Sequence, residues 1–269
     1  MITSISNKQI KNIIQLQKKS RTRRDQHCYV VEGWKMVQEA STEELQEVYV
    51  SEHFLTQPEY RLKLEAMEQQ WNHTVHVEEV SDAVMKSMSD TVTPQGILAV
   101  VAMKDYALQE LLGDDRKVPH LLLLEGVQDP GNLGTMFRTG EGAGITGIIM
   151  SRETVDIYHP KTIRSTMGSI YRIPFLITED LTATIAELKN HGVHLYAAHL
   201  KGTQNYDQYD YTQGTGFLIG NEGNGLTDET AALADTYIRI PMGGQLESLN
   251  AAMAAGILMY ETNRQRRWQ

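Results

Sequence analysis

Cysteine is almost missing from this chain of 269 residues, where Cys28 stands alone. That excludes an internal disulfide framework and a multi-cysteine zinc site, and no other metal-ligand set is visible. No apolar run approaches the roughly 18 residues a membrane helix needs. The opening "MITSISNKQIKNIIQLQKKSRTRRD" lacks the apolar core of a signal peptide. There is no repeat, no low-complexity tract and no Gly-Lys-Ser/Thr phosphate loop. These absences together fit a globular protein of the cytoplasm with no membrane partner.

What is present begins with charge. The chain carries a net −9, which on average repels nucleic acid. Residues 1–35 run against that average, with eight basic residues and only Asp25 and Glu32 acidic. Phosphate binding responds to the local field, so Lys18, Lys19, Arg21, Arg23 and Arg24 are candidate RNA contacts. The plainer reading is a solvated helix face followed by a loop.

Patterning predicts two α/β domains. "NKQIKNIIQLQ" has helical spacing with a cap at Asn7, and "CYVVEG", "LQEVYVSE", "HTVHVEE" and "GILAVVAM" read as strands. Helical "WKMVQEAST", "YRLKLEAMEQQWN" and "SDAVMKSMSD" fall between them. This is a small α/β sandwich over 1–104. Charged residues 105–118, with Gly113 inside and Pro119 just beyond, read as a linker with room for a short helix. Residues 119–269 alternate strand and helix again, and buried-looking strands such as "LLLL" and "FLIG" predict a mostly parallel sheet covered on both faces.

Three turns in the second half carry candidate chemistry. "DPGNLGTMFRTGEGAG" (129–144) is rich in glycine, but Gly140, Gly142 and Gly144 lack the G-x-G-x-x-G spacing and fall late in the helix. They read as a helix end packed on the next strand. Asn132 reads as a helix cap or a site residue, with Arg138 six residues on. "FLIGNEGNGL" ends a strand at Gly220, whose missing side chain gives access to the backbone, and offers Glu222. "IRIPMGGQLESLNAAMAAG" places Ser248 and Asn250 at the start of a helix of small residues.

In this order, on strand–helix turns, the three stretches resemble the SpoU/TrmH family of RNA 2′-O-ribose methyltransferases. The first family motif, Asn followed six residues later by Arg-Thr, matches Asn132, Arg138 and Thr139. The second, G-[SN]-E-x-x-G, matches Gly220, Asn221, Glu222 and Gly225. The third matches Ile240, Pro241, Met242, Ser248, Leu249 and Asn250. The likeness covers 119–264, and the N-terminal part resembles the family's ribosomal-protein-like substrate-binding domain.

The resemblance implies a parallel sheet ending in a deep trefoil knot, a rare exception to the rule against threading. It implies S-adenosylmethionine held by Ala198, His199, Leu200, Gly220, Asn221, Ile240, Met242 and Leu249. It also implies methyl transfer to a ribose 2′-hydroxyl, with Arg138, Asn132, Glu222, Ser248 and Asn250 as catalytic candidates. Arg138 is a poor base because its guanidinium stays protonated. Gripping the target phosphate and stabilising the developing alkoxide suits it better. A homodimer is implied, with Ile257, Leu258 and Met259 at the interface or simply filling the core. Large-subunit 23S rRNA is the expected substrate. A tRNA 2′-O-methyltransferase, a catalytically silent RNA- or ribosome-binding protein, and a nucleotide-dependent Rossmann enzyme are the other readings. The last lacks its fingerprint.

Overall fold

The computed structural model of the chain describes residues 1–71, 74–113, 117–199, 201–246 and 248–267. They fall into two units: 1–104 with 156–171, and 105–155 with 172–269.

The first unit opens with α1 (Lys8–Lys18), where the Asn7 side chain accepts from the Gln9 amide as the sequence predicts. A short α2 (Ser20–Gln26) follows in the basic stretch that reads as loop from sequence. Then come β1 (Cys28–Glu32), α3 (Trp34–Glu39), β2 (Leu45–Ser51), α4 (Glu52–Thr56), α5 (Pro58–Gln70), β3 (His76–Val80), α6 (Asp82–Met88) and β4 (Ile97–Ala102). The strands pair in the order β1-β4-β2-β3, antiparallel except for the parallel β2–β3 pair. Strand alternation sends Cys28 and Val30 of β1 toward Ile10, Ile13 and Leu16 of α1 and Val84, Met85 and Met88 of α6. Tyr29 and Val31 are also buried, so β1 is covered on both faces.

The second unit begins within the stretch that reads as linker. There α7 (Leu108–Leu111) buries Leu108 and Leu111 in the unit's core, so this segment is structural. It continues with β5 (His120–Leu124), α8 (Pro130–Ala143) and β6 (Gly147–Ser151). Residues 156–171, including α9 (Pro160–Thr166), belong to the first unit. The chain returns with β7 (Phe175–Thr178), α10 (Leu181–Asn190), β8 (His194–Ala198), β9 (Gln204–Asn205), β10 (Thr215–Ile219), α11 (Asp228–Ala232), β11 (Thr236–Arg239) and α12 (Ala251–Arg266).

These seven strands form one parallel sheet in the order β7-β6-β5-β10-β8-β11-β9. The inner strands β5, β6 and β10 are buried at every residue, which is why they read as unbroken apolar runs. Each leucine from Leu121 to Leu124 contributes about 1.5–3 kcal/mol by leaving water. Strands β7 and β9, at the edges, are four and two residues long and carry little apolar signal. The late glycines of α8 pack as expected. A Cβ on Gly140 would collide with the Ile145 side chain, and Gly144 ends the helix at φ +76°.

Arg23 corrects the charge reading. Only 2% exposed, it is withdrawn from solvent and from any RNA. Its guanidinium donates to the Leu16 and Gln17 carbonyls at 2.6 and 3.2 Å and pairs with Asp156 at 2.5 Å. Lys18, Lys19, Arg21 and Arg24 remain exposed. Removing the guanidinium leaves Asp156 without its cation and two carbonyls without their donor. Arg23→Met is therefore expected to destabilise the first unit by about 3 kcal/mol, read as a lower urea midpoint of the full chain.

Candidate active site

Strands β5 and β10 lie side by side, although their loops are some 90 residues apart in sequence. From β5 the chain runs outward through β6 and β7 on one side, while β8 and β11 lie on the other side of β10. The sheet therefore switches direction between β5 and β10, and in such sheets ligands bind beyond the C-terminal strand ends at the switch point. An open cleft of about 840 Å³ sits there. Gln128 and Asp129 line it from the loop after β5, Asn132 from the first turn of α8, Glu222 from the loop after β10, and Ser248, Leu249 and Asn250 from the entry to α12.

Glu222 organises this cleft. Its carboxylate accepts from the Gln128 amide at 2.9 Å, the Asp129 amide at 3.0 Å and Asn132 Nδ2 at 2.9 Å. Burial pushes its carboxyl up, but the hydrogen bonds from Asn132, Gln128 and Asp129 outweigh that and hold it below its ordinary value. With Asn132 Nδ2 committed, Oδ1 of the same amide accepts from Asn250 Nδ2 at 2.9 Å. Asn250 Oδ1 in turn accepts the Ala252 and Met253 amides and caps α12. A carboxylate and two amides, from three loops, thus form one chain of fixed donors and acceptors.

Asp129, not Asn132, caps α8: its Oδ1 accepts the Asn132 amide at 2.8 Å, with Pro130 in the first turn. That frees the Asn132 side chain for the cleft. Asn221 braces the same region, donating to the Gly126 carbonyl at 2.9 Å and accepting the Gly223 and Asn224 amides. Gly220 has a different reason from the one its sequence suggests. A Cβ there would overlap the backbone of Gly225 and Leu226, so the loop folds back onto it and the space is taken by protein.

Glu125, at the end of β5, is absent from the sequence reading. Its carboxylate crosses the opposite way, accepting the Thr227 amide and hydroxyl at 2.8 Å and the Thr230 hydroxyl. Gln128, also missed, donates to the Glu153 carbonyl at 2.5 Å. Nothing in spacing marks either residue, because their partners lie in distant loops.

Arg138 is exposed on α8 and does not line the cleft. Six residues carry it roughly 240° around the helix from Asn132. On α12, which packs against α8, Met253 is 60% and Tyr260 49% exposed. The helices approach closely there, since a Cβ on Gly142 would meet the Tyr260 hydroxyl at 2.9 Å. Leu258 and Met259 are fully buried core, while Ile257 is half-buried.

The remaining candidates gather at the ends of neighbouring strands. Ala198 ends β8, His199 follows it and stacks on Tyr237, and Ile240 and Met242 follow β11. Leu200 lies outside the described residues. Ile240, Met242 and Leu249 are each half-buried, and of the three Leu249 lines the cleft.

The match to known proteins follows this anatomy. The SpoU rRNA Methylase family matches residues 119–260, and the MRM3-like substrate binding domain matches 7–99. The chain is 33% identical to the 23S rRNA (guanosine(2553)-2'-O)-methyltransferase RlmP of Bacillus subtilis (strain 168), over 96% of this chain and 97% of that protein. The AdoMet-bound rRNA methyltransferase from Sinorhizobium meliloti superposes with a TM-score of 0.82 at 28% identity, covering 98% of this chain and 97% of that one. The SpoU methyltransferase AviRb from Streptomyces viridochromogenes shares the fold at a TM-score of 0.84 and 24% identity, over 98% of this chain and 100% of that one.

Two outcomes test the network. Glu222→Ala and Glu125→Ala each lower turnover, the first by about 10²-fold through misplaced cleft groups. The double variant loses less than the two losses combined, because both carboxylates tie the same two segments to each other. The pH sign follows from the depressed Glu222 carboxyl. Its contribution is present above the unfolded value of about 4.3 and lost as pH falls through the folded one. Hydrogen exchange of the Gln128 and Asp129 amides rises on that acidification, and Glu222→Gln removes the step.

Proposed function

Given that the chain belongs to the SpoU/TrmH family of RNA 2′-O-methyltransferases, we propose that it methylates a ribose 2′-hydroxyl of 23S rRNA in the cytoplasm. The carrying observation is the Glu222–Asn132–Asn250 relay inside the cleft at the switch point. S-adenosylmethionine supplies an electrophilic methyl group on a sulfonium. Residues Ala198, His199, Gly220, Asn221, Ile240, Met242 and Leu249 border the place for it, with the apolar members against adenine and backbone groups reading its edge. Leu200 is assigned there by resemblance.

The chain's own groups then orient the acceptor. Asn132 and Asn250 have fixed amides, so they hold a ribose without reorganising at the moment of reaction. Ser248, exposed on the cleft wall, adds a hydroxyl. Glu222 spends its lone pairs on three donors and positions Asn132, so it is not the base that takes the hydroxyl proton. Residues 1–104 serve as the RNA-binding domain and 119–269 are catalytic, with 105–118 joining them through α7, which packs into the core of the second unit. The Gly220 crossing and a Cβ on Gly202, which would stand 2.7 Å from the Ile238 carbonyl carbon, show how tightly backbones pass one another here. Such crossings suit the trefoil knot.

Arg138 acts from the exposed α8–α12 face, where Met253, Ile257 and Tyr260 give an apolar stripe. A homodimer covers that stripe and lends Arg138 to the partner's cleft, where it grips the target phosphate and the developing alkoxide.

Mapping ribose methylation across rRNA and tRNA, with and without the protein, tests the function. One 23S site is expected to lose its mark, and an unchanged map defeats the reading. Arg138→Ala is expected to lower kcat by about 10²–10³-fold with S-adenosylmethionine affinity retained by calorimetry. Mixing Arg138→Ala with Asn132→Ala subunits restores activity only if Arg138 works across the dimer.

A further inference from the structure

Gln128 lines the cleft together with Asn132, Glu222 and Asn250. Its main chain is fixed, because its backbone amide donates to Glu222 at 2.9 Å. Its side-chain amide is fixed as well. Nε2 donates to the Gly126 carbonyl at 3.2 Å and to the Glu153 carbonyl at 2.5 Å, which spends both of its N–H groups on backbone. The Gly126 carbonyl is itself held by Asn221 Nδ2 at 2.9 Å. Flipping the Gln128 amide would set Oε1 against two carbonyl oxygens, so the hydrogen bonds decide its orientation. Among the described residues Oε1 has no hydrogen-bond partner.

The relay in the same cleft has the opposite character. Asn250 Oδ1 accepts two backbone amides, Asn132 Oδ1 accepts from Asn250 Nδ2, and Glu222 accepts from three donors. Among the described residues, Asn132 and Asn250 each keep one N–H unspent. Those two groups can hold ribose oxygens, but neither can receive a hydroxyl hydrogen. Within an RNA chain the 3′ and 5′ oxygens are esterified, so the 2′-hydroxyl is the one ribose group that donates. A cleft that takes this hydroxyl needs a fixed acceptor as well as donors, and Gln128 Oε1 is one.

We infer that Gln128 Oε1 accepts the hydrogen of the target's 2′-hydroxyl and thereby sets which way the oxygen's lone pairs face. Gln128 then touches the substrate and reads ribose against deoxyribose. It orients the hydroxyl and is not its base. An amide oxygen is too weakly basic to keep the proton, which passes to water as the oxygen gains its methyl group. The inference rests on the ribose-methylation reading above and names a group that recognises the acceptor.

The test uses the full chain and two synthetic RNA fragments spanning the mapped methylation site. One is native and one carries 2′-deoxyribose at the target nucleotide. Wild type is expected to bind the native fragment about 3- to 10-fold tighter, the range of one hydrogen bond. Gln128→Glu keeps an acceptor and loses the donors. Gln128→Lys keeps a donor for the Gly126 and Glu153 carbonyls and loses the acceptor. Gln128→Glu is expected to retain the preference and Gln128→Lys to lose it, with kcat on the native fragment in the same order. Simple attraction to RNA phosphate would give the reverse order. Each variant still binds S-adenosylmethionine by calorimetry. Equal binding of the two fragments by wild type overturns the inference. So does a Gln128→Lys chain that keeps the preference, since the amide would then only tether the loop. A wild-type chain that binds S-adenosylmethionine but methylates no rRNA or tRNA ribose sinks the function reading itself.

Discussion

The Glu222 carboxylate receives three hydrogen bonds from the loop after β5 and the first turn of α8, and the cleft depends on that junction. A carboxylate with two or three good donors stays ionised and stays put. It fixes Asn132, which fixes Asn250, whose own amide caps α12. Orientation passes from one strand end to the helix that closes the site, through groups that would otherwise rotate freely. Glu125 answers from the other strand by holding Thr227 and Thr230. Two crossed carboxylates thus lock two loops that the parallel sheet merely places side by side.

The opposite end of the same sheet has the complementary role. There Arg266, from the last turn of α12, donates to the carbonyls of Val118, Pro119, Tyr211 and Gln213. Burial lowers its guanidinium to about 10, which leaves it charged at neutral pH. Helix α12 is therefore tied at both ends, by the Asn250 cap at the cleft and by Arg266 beneath the sheet. Its middle is free to present Met253, Ile257 and Tyr260 outward while Leu258 and Met259 fill the core.

Much of the fold was legible because burial repeats locally. The period of α1, the Asn7 cap, and the apolar runs of β5, β6 and β10 all declare themselves within a few residues. Strand β7 did not, since a four-residue edge strand with exposed Ile177 has no period to detect. Helix α2 reads as a charged loop, and its fold depends on Arg23 reaching Asp156, 133 residues away. For the site, Asn132, Glu222, Ser248, Leu249 and Asn250 were nameable from motif order. Their hydrogen bonds were not, and Glu125 and Gln128 carry no local mark.

The sequence by itself determined the elements with a clear apolar period, the motif residues and the family, because these depend on short-range pattern and on residue identity at fixed spacing. It also determined the basic bias of the N-terminal stretch. Only the tertiary structure decided which of those cations is buried, why Gly220 must lack a side chain, and that Asp129 rather than Asn132 caps α8. It alone showed that Arg138 does not line the cleft and that residues 156–171 join the first unit. Each of these depends on which distant backbone or side chain arrives at a given atom. The parallel sheet, joining strands some 90 residues apart, settles that, and no local period encodes it.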